Sequence, residues 1–238
     1  MLYLGDCLDI LPSIQTNSVD LVLTDPPYGT TNCDWDVVPN LPRLWTELKR
    51  IGKENCAYLF HCMQPFTTDL IMSNRECFKY HWIWIKERPT NVLQIKKRPG
   101  KNFEEICVFY RKPPIYNPQK TIHTGKLRTN KVKNGSLGQL IDQQNKKAHS
   151  YRDDRTRYPL ATINFQRDIL KSNLHPTQKP LALIEYLIKT YTNEDALVLD
   201  CFAGSGTTGV ACQNLNRSCI LIEKNSDYFE MIKARLLG

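Results

Sequence analysis

The chain predicts an α/β fold: a doubly wound, mostly parallel sheet with a long region inserted into it. Three observations carry that reading. Val19 to Thr24, Ala196 to Asp200 and Cys219 to Ile222 are short apolar runs rich in Leu, Val and Ile, which fit strands covered on both faces. The run ending at Asp200 passes through a glycine-rich turn into Val210, Ala211, Cys212 and Leu215 at helical spacing, the strand–turn–helix rhythm of a parallel sheet. From Arg111 to about Tyr158 the periodicity collapses into Pro, Asn, Gln, Lys and Gly, and a loop of that length inside a domain is usually functional or disordered.

In chain order, Tyr3-Leu4 reads as the tail of a short strand and Cys7 to Ile14 as a helix. Val19 to Thr24 is the next strand, and Pro26 and Pro27 end its ladder because they lack the N–H it needs. Leu41, Leu44, Leu48 and Ile51 mark a helix, with Pro42 tolerated in its first turn. Ala57 to His61 is a strand, Thr67 to Met72 lies within a helix, and His81 to Lys86 alternates like a strand whose hairpin partner is Ile106 to Tyr110. After the insert, Leu181, Leu183, Ile184, Leu187, Ile188 and Tyr191 restore an amphipathic helix. The strands ending at Asp200 and Glu223 and a helix from Asp227 to Leu236 complete the sheet.

Composition narrows the class. A chain of 238 residues, 41% of them hydrophobic, buries one substantial core plus an excursion. Its 9 cysteines form no Cys-x-x-Cys pair, which argues against a zinc site or a disulfide framework and for reduced thiols in the cytoplasm. No apolar run approaches the roughly 18 residues of a membrane span. Of the net charge of +8, residues 86–171 contribute +13 (20 Lys and Arg against 7 Asp and Glu), while the remainder carries −5. A basic middle segment on a mildly acidic body reads as a footprint for a polyanion. Interleaved Trp82, Trp84, Tyr110, Tyr116, Tyr151 and Tyr158 suit stacking on bases.

Two motifs carry chemistry. Asp25-Pro26-Pro27-Tyr28 follows the first buried strand directly, at the sheet edge where ligands bind in open α/β folds. Such a loop suits a planar amine: Asp25 and a prolyl carbonyl accept its two hydrogens while Tyr28 stacks on the ring. Cys201 to Gly209 is the second motif. Its glycines allow close backbone approach to a ligand, and Thr207 opens a helix whose N-terminus favours negative charge. Glu223, ending the next strand, can accept hydrogen bonds from two ribose hydroxyls. Gly204, Gly206 and Gly209 also satisfy the dinucleotide fingerprint, so a nicotinamide dinucleotide is a rival ligand. That rival leaves the Asp25 loop without a role; an adenosine-containing methyl donor accounts for both loops.

These motifs, with Gly5-Asp6-Cys7-Leu8, His175-Pro176-Thr177-Gln178-Lys179-Pro180 and Glu223-Lys224, resemble the amino-group DNA methyltransferases over nearly the whole chain. Their order, catalytic loop first and donor loop last, looks like the beta class. Gly29 to Asp36 and Gln64-Pro65-Phe66 look like the small phage and prophage adenine enzymes. The resemblance implies a circularly permuted, Rossmann-like methyltransferase fold, with the Asp25 and Asp200 strands as neighbours. Residues 1–110 would form the target-base side, 111–172 a basic target-recognition insert partly mobile without DNA, and 173–238 the methyl-donor side.

The cofactor implied is S-adenosylmethionine and the substrate double-stranded DNA, with no metal, no membrane and, by analogy with the class, a homodimer. Asp25, Pro26, Pro27 and Tyr28 are the catalytic set. Phe202, Gly204 and Gly206 would line the methionine and ribose region, Glu223 would bind the ribose and Asp6 the adenine amine. Thr177 and Lys179 would lie near the methionine carboxylate, with Cys7, Asp25, Asp200 and Thr207 completing the cofactor-binding set. Five-position cytosine methylation needs a Pro-Cys nucleophile, and the chain has none. Adenine N6 is expected over cytosine N4 because Asp stands where the cytosine enzymes more often carry Ser. A catalytically silent DNA-binding module of the same fold is the rival of another class.

Overall fold

The computed structural model describes residues 1–31, 33, 36–125, 154–166 and 178–237. Its elements run β1 (Leu2–Leu4), α1 (Cys7–Ile10), β2 (Val19–Thr24), α2 (Leu41–Ile51), β3 (Gly52–Cys62), α3 (Phe66–Ser73), β4 (Phe78–Ile85), β5 (Phe103–Phe109), β6 (Thr121–Ile122), β7 (Thr156–Arg157), β8 (Thr162–Asn164), α4 (Leu181–Tyr191), β9 (Leu197–Asp200), α5 (Thr207–Asn214), β10 (Ser218–Glu223) and α6 (Ser226–Leu237). The main sheet has the order β1-β10-β9-β2-β3-β5-β4-β8. Neighbours from β1 to β3 are parallel, whereas β5 runs antiparallel to both β3 and β4.

Two compact units emerge from the contacts: Met1–Asn117 with Leu160–Gly238, and Pro118–Pro159. In the second, β6 pairs antiparallel with β7 and Lys120 lies over the Tyr158 ring at 4.5 Å. The expected mobility of the insert falls largely on residues 126–153 and 167–177, which lie outside the described residues.

The doubly wound expectation is met by two apolar layers. On one face, Leu41, Leu44, Trp45, Leu48 and Ile51 of α2 pack with Val22, Tyr58, Phe60 and Leu199. Asn40 caps α2 by accepting from the Arg43 N–H at 3.0 Å, and each fully buried Leu or Ile contributes about 1.5–3 kcal/mol. On the other face, Leu183, Ile184, Leu187, Ile188 and Tyr191 of α4 pack with Leu21, Leu23, Ala57, Leu59 and Val198. Strand alternation assigns these sets: Leu21 and Leu23 of β2 face α4 and Val22 faces α2, while Val19, before a register shift, joins the α2 side.

Two expectations are corrected. The helix expected over Cys7 to Ile14 stops at Ile10 and continues as a 3₁₀ turn over Leu11–Ser13, because Pro12 has no N–H to offer the preceding turn. Trp82 and Trp84 do not await bases. They are 4% and 1% exposed, and their indole N–H groups donate to Tyr191 Oη at 2.8 Å and the Phe165 carbonyl at 2.9 Å. Their β4 positions alternate onto the face that α4 covers. Tyr116 and Tyr158 are exposed, while Tyr151 lies outside the described residues.

The permuted ends of the chain meet where β2 pairs with β9, Leu21 opposite Val198 and Val22 opposite Leu199. Past that register the buried Thr24 hydroxyl donates to Asp200 Oδ1 at 2.7 Å and accepts from the Cys201 N–H at 3.2 Å. Asp200 Oδ2 accepts from Thr208 Oγ1 at 2.7 Å. Burial pushes the Asp200 carboxyl up to about 6 despite these donors, so the folded state holds its proton through a range where the unfolded chain has lost it. Stability then falls as pH rises from about 4 to 6, by up to about 3 kcal/mol for this group. Asp200→Asn, measured by urea unfolding against pH, is expected to flatten the curve in that window; an unchanged slope would contradict the assignment.

Candidate active site

β2 ends at Thr24, and the Asp25–Tyr28 loop leaves from the carboxyl edge of the sheet. Asp36 folds the loop back on itself. Its Oδ1 accepts the Tyr28 and Gly29 N–H groups at 2.7 and 2.8 Å, and its Oδ2 accepts those of Thr30 and Thr31 at 2.9 and 2.7 Å. Burial opposes ionisation, but the Thr31 hydroxyl, which donates to Oδ2 at 2.8 Å, and these backbone bonds win and hold the carboxyl below its usual range. The Tyr28 ring stacks on Phe66 with centroids 5.4 Å apart, and its hydroxyl donates to Asp25 Oδ1. Burial, then the Asp25 charge, raises the phenol well above its ordinary value, so Tyr28 is a neutral donor.

Lys179 reaches Asp25 from the segment preceding α4. Its ammonium donates to Asp25 Oδ2 at 2.5 Å and lies 3.5 Å from Glu104 Oε2. Glu104 Oε1 in turn accepts from Lys86, whose ammonium lies 4.9 Å from the Trp84 ring centroid. Strand parity explains the grouping. Asp25 follows Leu21 and Leu23, His61 follows Ala57 and Leu59, Glu104 shares its face with Ile106 and Val108, and Lys86 continues Trp82 and Trp84. Neighbouring strands therefore each place one titratable residue at the top of the α4-covered face.

Burial raises the carboxyl and lowers the ammonium, but the pairing reverses both. Lys179 and Lys86 hold Glu104 down to about 2, and Asp25 and Glu104 hold Lys179 above the usual lysine range. His61 stands among these charges with neither ring nitrogen hydrogen-bonded among the described residues.

On the donor side, Gly204 donates its N–H to Glu223 Oε2 at 2.7 Å, and Asn225 donates to Oε1 at 2.8 Å. Each carboxylate oxygen keeps a lone pair for a further donor. Burial raises the Glu223 carboxyl. Gly206, at φ +75°, caps α5 in the left-handed region, and a Cβ there would meet Ile232 at 3.0 Å, so only glycine makes this bend without strain. Phe202 is half-buried, and Thr207 is buried at the start of α5. Asp6 caps α1, accepting from the Leu8 N–H at 3.0 Å, and pairs with Lys224 at 3.1 Å.

The structure thus brings Asp25, Tyr28, Lys179 and Asp200 together across the β2–β9 seam, with Gly204, Gly206 and Glu223 along the adjoining edge. Three expected roles are redrawn. Asp200 has both oxygens engaged internally and braces the seam. The Cys7 thiol is 4% exposed and packed in the core, with burial pushing it up to about 12, which leaves its backbone to face any ligand. Lys179 pairs with the carboxylate of the Asp25 loop and so also serves the target side. Thr177 lies outside the described residues. Sequence reasoning missed Asp36, His61, Glu104 and Lys86; a charged or imidazole side chain on the inward parity of an apolar strand was the available signal for the last three.

Burial without a partner pushes His61 down to about 4 from 6.5. Its neutral form is the folded form, so its contribution is intact above about pH 6.5 and is lost as pH falls toward 4, by about 3 kcal/mol in full. His61→Phe is expected to reduce acid sensitivity in that window, read by denaturant unfolding at stepped pH. Equal acid lability in the variant would place the sensitivity elsewhere.

A Rossmann-like sheet with an acid–proline loop and a glycine bend on adjacent strands defines a group-transfer enzyme that uses a nucleotide-like donor. The chain belongs to the N6/N4 DNA methylase family, whose model, described as DNA methylase, matches residues 19–234. It is 27% identical over 246 residues to the Type II methyltransferase M.HpaI of Haemophilus parainfluenzae, across 98% of this chain and 72% of that protein. It is 28% identical over 253 residues to the DNA adenine methyltransferase YhdJ of Escherichia coli (strain K12), across 98% and 81%. The crystal structure of the M1.HpyAVI–SAM complex matches with a TM-score of 0.64 at 24% identity, covering 99% of this chain and 98% of that one. The cytosine-N4-specific PvuII DNA methyltransferase matches with a TM-score of 0.70 at 16% identity, covering 100% and 86%. At these identities the two structures establish the shared fold.

Proposed function

We propose that this chain transfers a methyl group from S-adenosylmethionine to the exocyclic N6 amine of an adenine turned out of double-stranded DNA. The observation that carries the reading is the Thr24–Asp200 contact, 2.7 Å long, which sets the Asp25 loop beside the glycine bend. A DNA adenine methyltransferase among the relatives supports the choice of adenine.

The residues present fit the donor. Glu223 has acceptor capacity for ribose hydroxyls, the Gly204–Gly206 bend admits close backbone approach, and Asp6 supplies an acceptor for an adenine amine. S-adenosylmethionine, when bound, supplies an electrophilic methyl carbon on a sulfonium. The chain's own task is to prepare the nucleophile. The lone pair of an adenine amine is delocalised into the ring, and hydrogen bonds to the Asp25 carboxylate and the Pro26 carbonyl draw it back onto nitrogen. Pro27 fixes the turn that aims that carbonyl. Phe66 covers one face of Tyr28, so the base stacks on the other.

Positioning supplies roughly 7–11 kcal/mol of barrier reduction, against about 10²–10⁴-fold, or nearly 3–5 kcal/mol, from general-base help. Asp25 is therefore chiefly an orienting and electrostatic group. Stacking on Tyr28 returns about 1–3 kcal/mol, close to the few kcal/mol that extruding a base costs.

Residues 111–172 serve as the target-recognition region in this reading. The β4–β5 loop adds Arg88, Lys96, Lys97, Arg98 and Lys101 beside exposed Val92, Leu93 and Ile95, a basic surface with an apolar tip of the kind that grips and wedges duplex DNA. All 9 cysteines are free, and among the described residues no helix is long and apolar enough to cross a membrane; a cytoplasmic site of action accords with both.

Asp25→Ala is expected to abolish transfer of tritiated methyl to duplex DNA while S-adenosylhomocysteine still binds; normal turnover would reject the role of Asp25. Long-read modification mapping of DNA treated with the native chain is expected to report N6-methyladenine at one recurrent site. N4-methylcytosine in its place would overturn the adenine assignment, and unmodified DNA would leave a silent binding module.

A further inference from the structure

Both oxygens of Asp25 are already engaged. Oδ1 accepts the Tyr28 hydroxyl and Oδ2 accepts the Lys179 ammonium at 2.5 Å. An ammonium on that oxygen withdraws the negative charge that must bear on the target amine. Glu104 offers Lys179 somewhere else to go. Its Oε1 is held by Lys86, but its Oε2 has no hydrogen-bond partner among the described residues and lies 3.5 Å from Lys179 Nζ. Charged N–H···O bonds close at about 2.7–2.9 Å, so a shift of under about 1 Å completes the contact.

We infer that Lys179 exchanges carboxylates during turnover, leaving Asp25 for Glu104 as the target amine arrives, and that Glu104 is thereby a positioning residue of the reaction. The inference rests on Asp25 as the amine's acceptor. Before the exchange each ammonium has its own carboxylate; after it both share Glu104, while Asp25 keeps the Tyr28 hydroxyl and gains the N–H donors of the target amine. The net charge of the cluster is unchanged and Asp25 always has hydrogen-bond donors, which limits the cost of separating a buried ion from its partner. Glu104 stays ionised and Lys179 stays protonated under the mutual pairing, so an ammonium moves and no proton does. The covering helix permits the motion, since Lys179 precedes α4 on a straight-chained side chain whose rotamers can redirect Nζ with little backbone change.

The test uses the full chain with tritiated S-adenosylmethionine and a duplex that the native chain methylates. Glu104→Gln removes the second carboxylate and fixes Lys179 on Asp25. Its kcat is expected to fall on the order of 10²-fold, the scale on which misplacing a reacting group by about 1 Å acts. KM for DNA and the affinity for S-adenosylhomocysteine are expected to stay as in the native chain. Glu104→Asp restores the charge and recovers part of kcat. With Lys179→Met there is nothing to exchange, so adding Glu104→Gln to that variant is expected to cost nothing more. A native kcat in Glu104→Gln, an Asp variant no better than the Gln variant, or losses that multiply in the double variant would each overturn the exchange. Should Glu104→Gln melt below the assay temperature, the Asp variant and its double with Lys179→Met decide the matter in the same way. Normal turnover in Asp25→Ala removes the underlying reading instead, whereas an inactive Asp25→Ala beside a fully active Glu104→Gln removes the exchange alone.

Discussion

Parallel pairing of β2 with β9 is the constraint on which the molecule depends. These strands lie at opposite ends of the sequence, and the site exists only because they are neighbours. The order of the sheet makes this the place where connections diverge: from β2 the chain winds through α2 to β3, and from β9 through α5 to β10 on the other side. A crevice opens at such a reversal. Thr24 closes the seam, donating to the Asp200 carboxylate and accepting from the Cys201 N–H. The last residue of one strand thereby fixes the first turn after the other. Aligning two loops with a buried hydroxyl and a carboxylate uses directional bonds, which constrain orientation as well as distance.

The two sides of the crevice are organised by different forces. On the donor side, Asp200 and Glu223 are tied to hydroxyls and backbone N–H groups, most of them within the same strand–turn–helix–strand unit. On the target side, Asp25, Lys179, Glu104 and Lys86 form an alternating run of charges under α4. Each such ion would cost several kcal/mol to bury alone, and the alternation offsets that cost only while all four stand together. Trp84 contributes by presenting its ring to Lys86, a contact typically worth about 0.5–2 kcal/mol. The indole read as a base-stacking platform thus serves the site from within the core.

This division decides how much of the molecule was legible in the sequence. The donor side is local: Asp200, Gly204, Gly206 and Glu223 lie within one strand–turn–helix–strand unit, whose apolar runs and glycines announce it. The catalytic loop was equally plain, since Pro26 and Pro27 can only end a strand. Helix α2 declared itself through Leu41, Leu44, Leu48 and Ile51. The ionic run was not legible, because its members come from the ends of β2 and β4, from β5 and from the approach to α4, and nothing in any one segment names its partners. Glu104 reads as one of two adjacent acids entering a strand, and only the register pairing Glu104 with Trp84 shows which face it takes. Asp36 was hidden differently, since its partners are backbone N–H groups of the loop it closes, and loop closure leaves no periodic trace. Trp82 and Trp84 misled because alternation says which residues share a face but not which face is covered.

The contrast between the two sides matches what each must do. A donor bound in a fixed posture gains from short, local hydrogen bonds, which hold geometry at little conformational freedom. A base arriving from a duplex needs a surface that accommodates it after binding begins. Lysine suits that task better than a backbone donor, because its charge travels on a flexible stem and finds a second carboxylate within reach. Asp25 belongs to both sides. It is anchored by position to the rigid seam through the adjoining Thr24, and by charge to the adjustable run through Lys179. A residue so placed can remain still while its electrostatic surroundings change, which is what a reaction controlled by the orientation of one nitrogen lone pair requires.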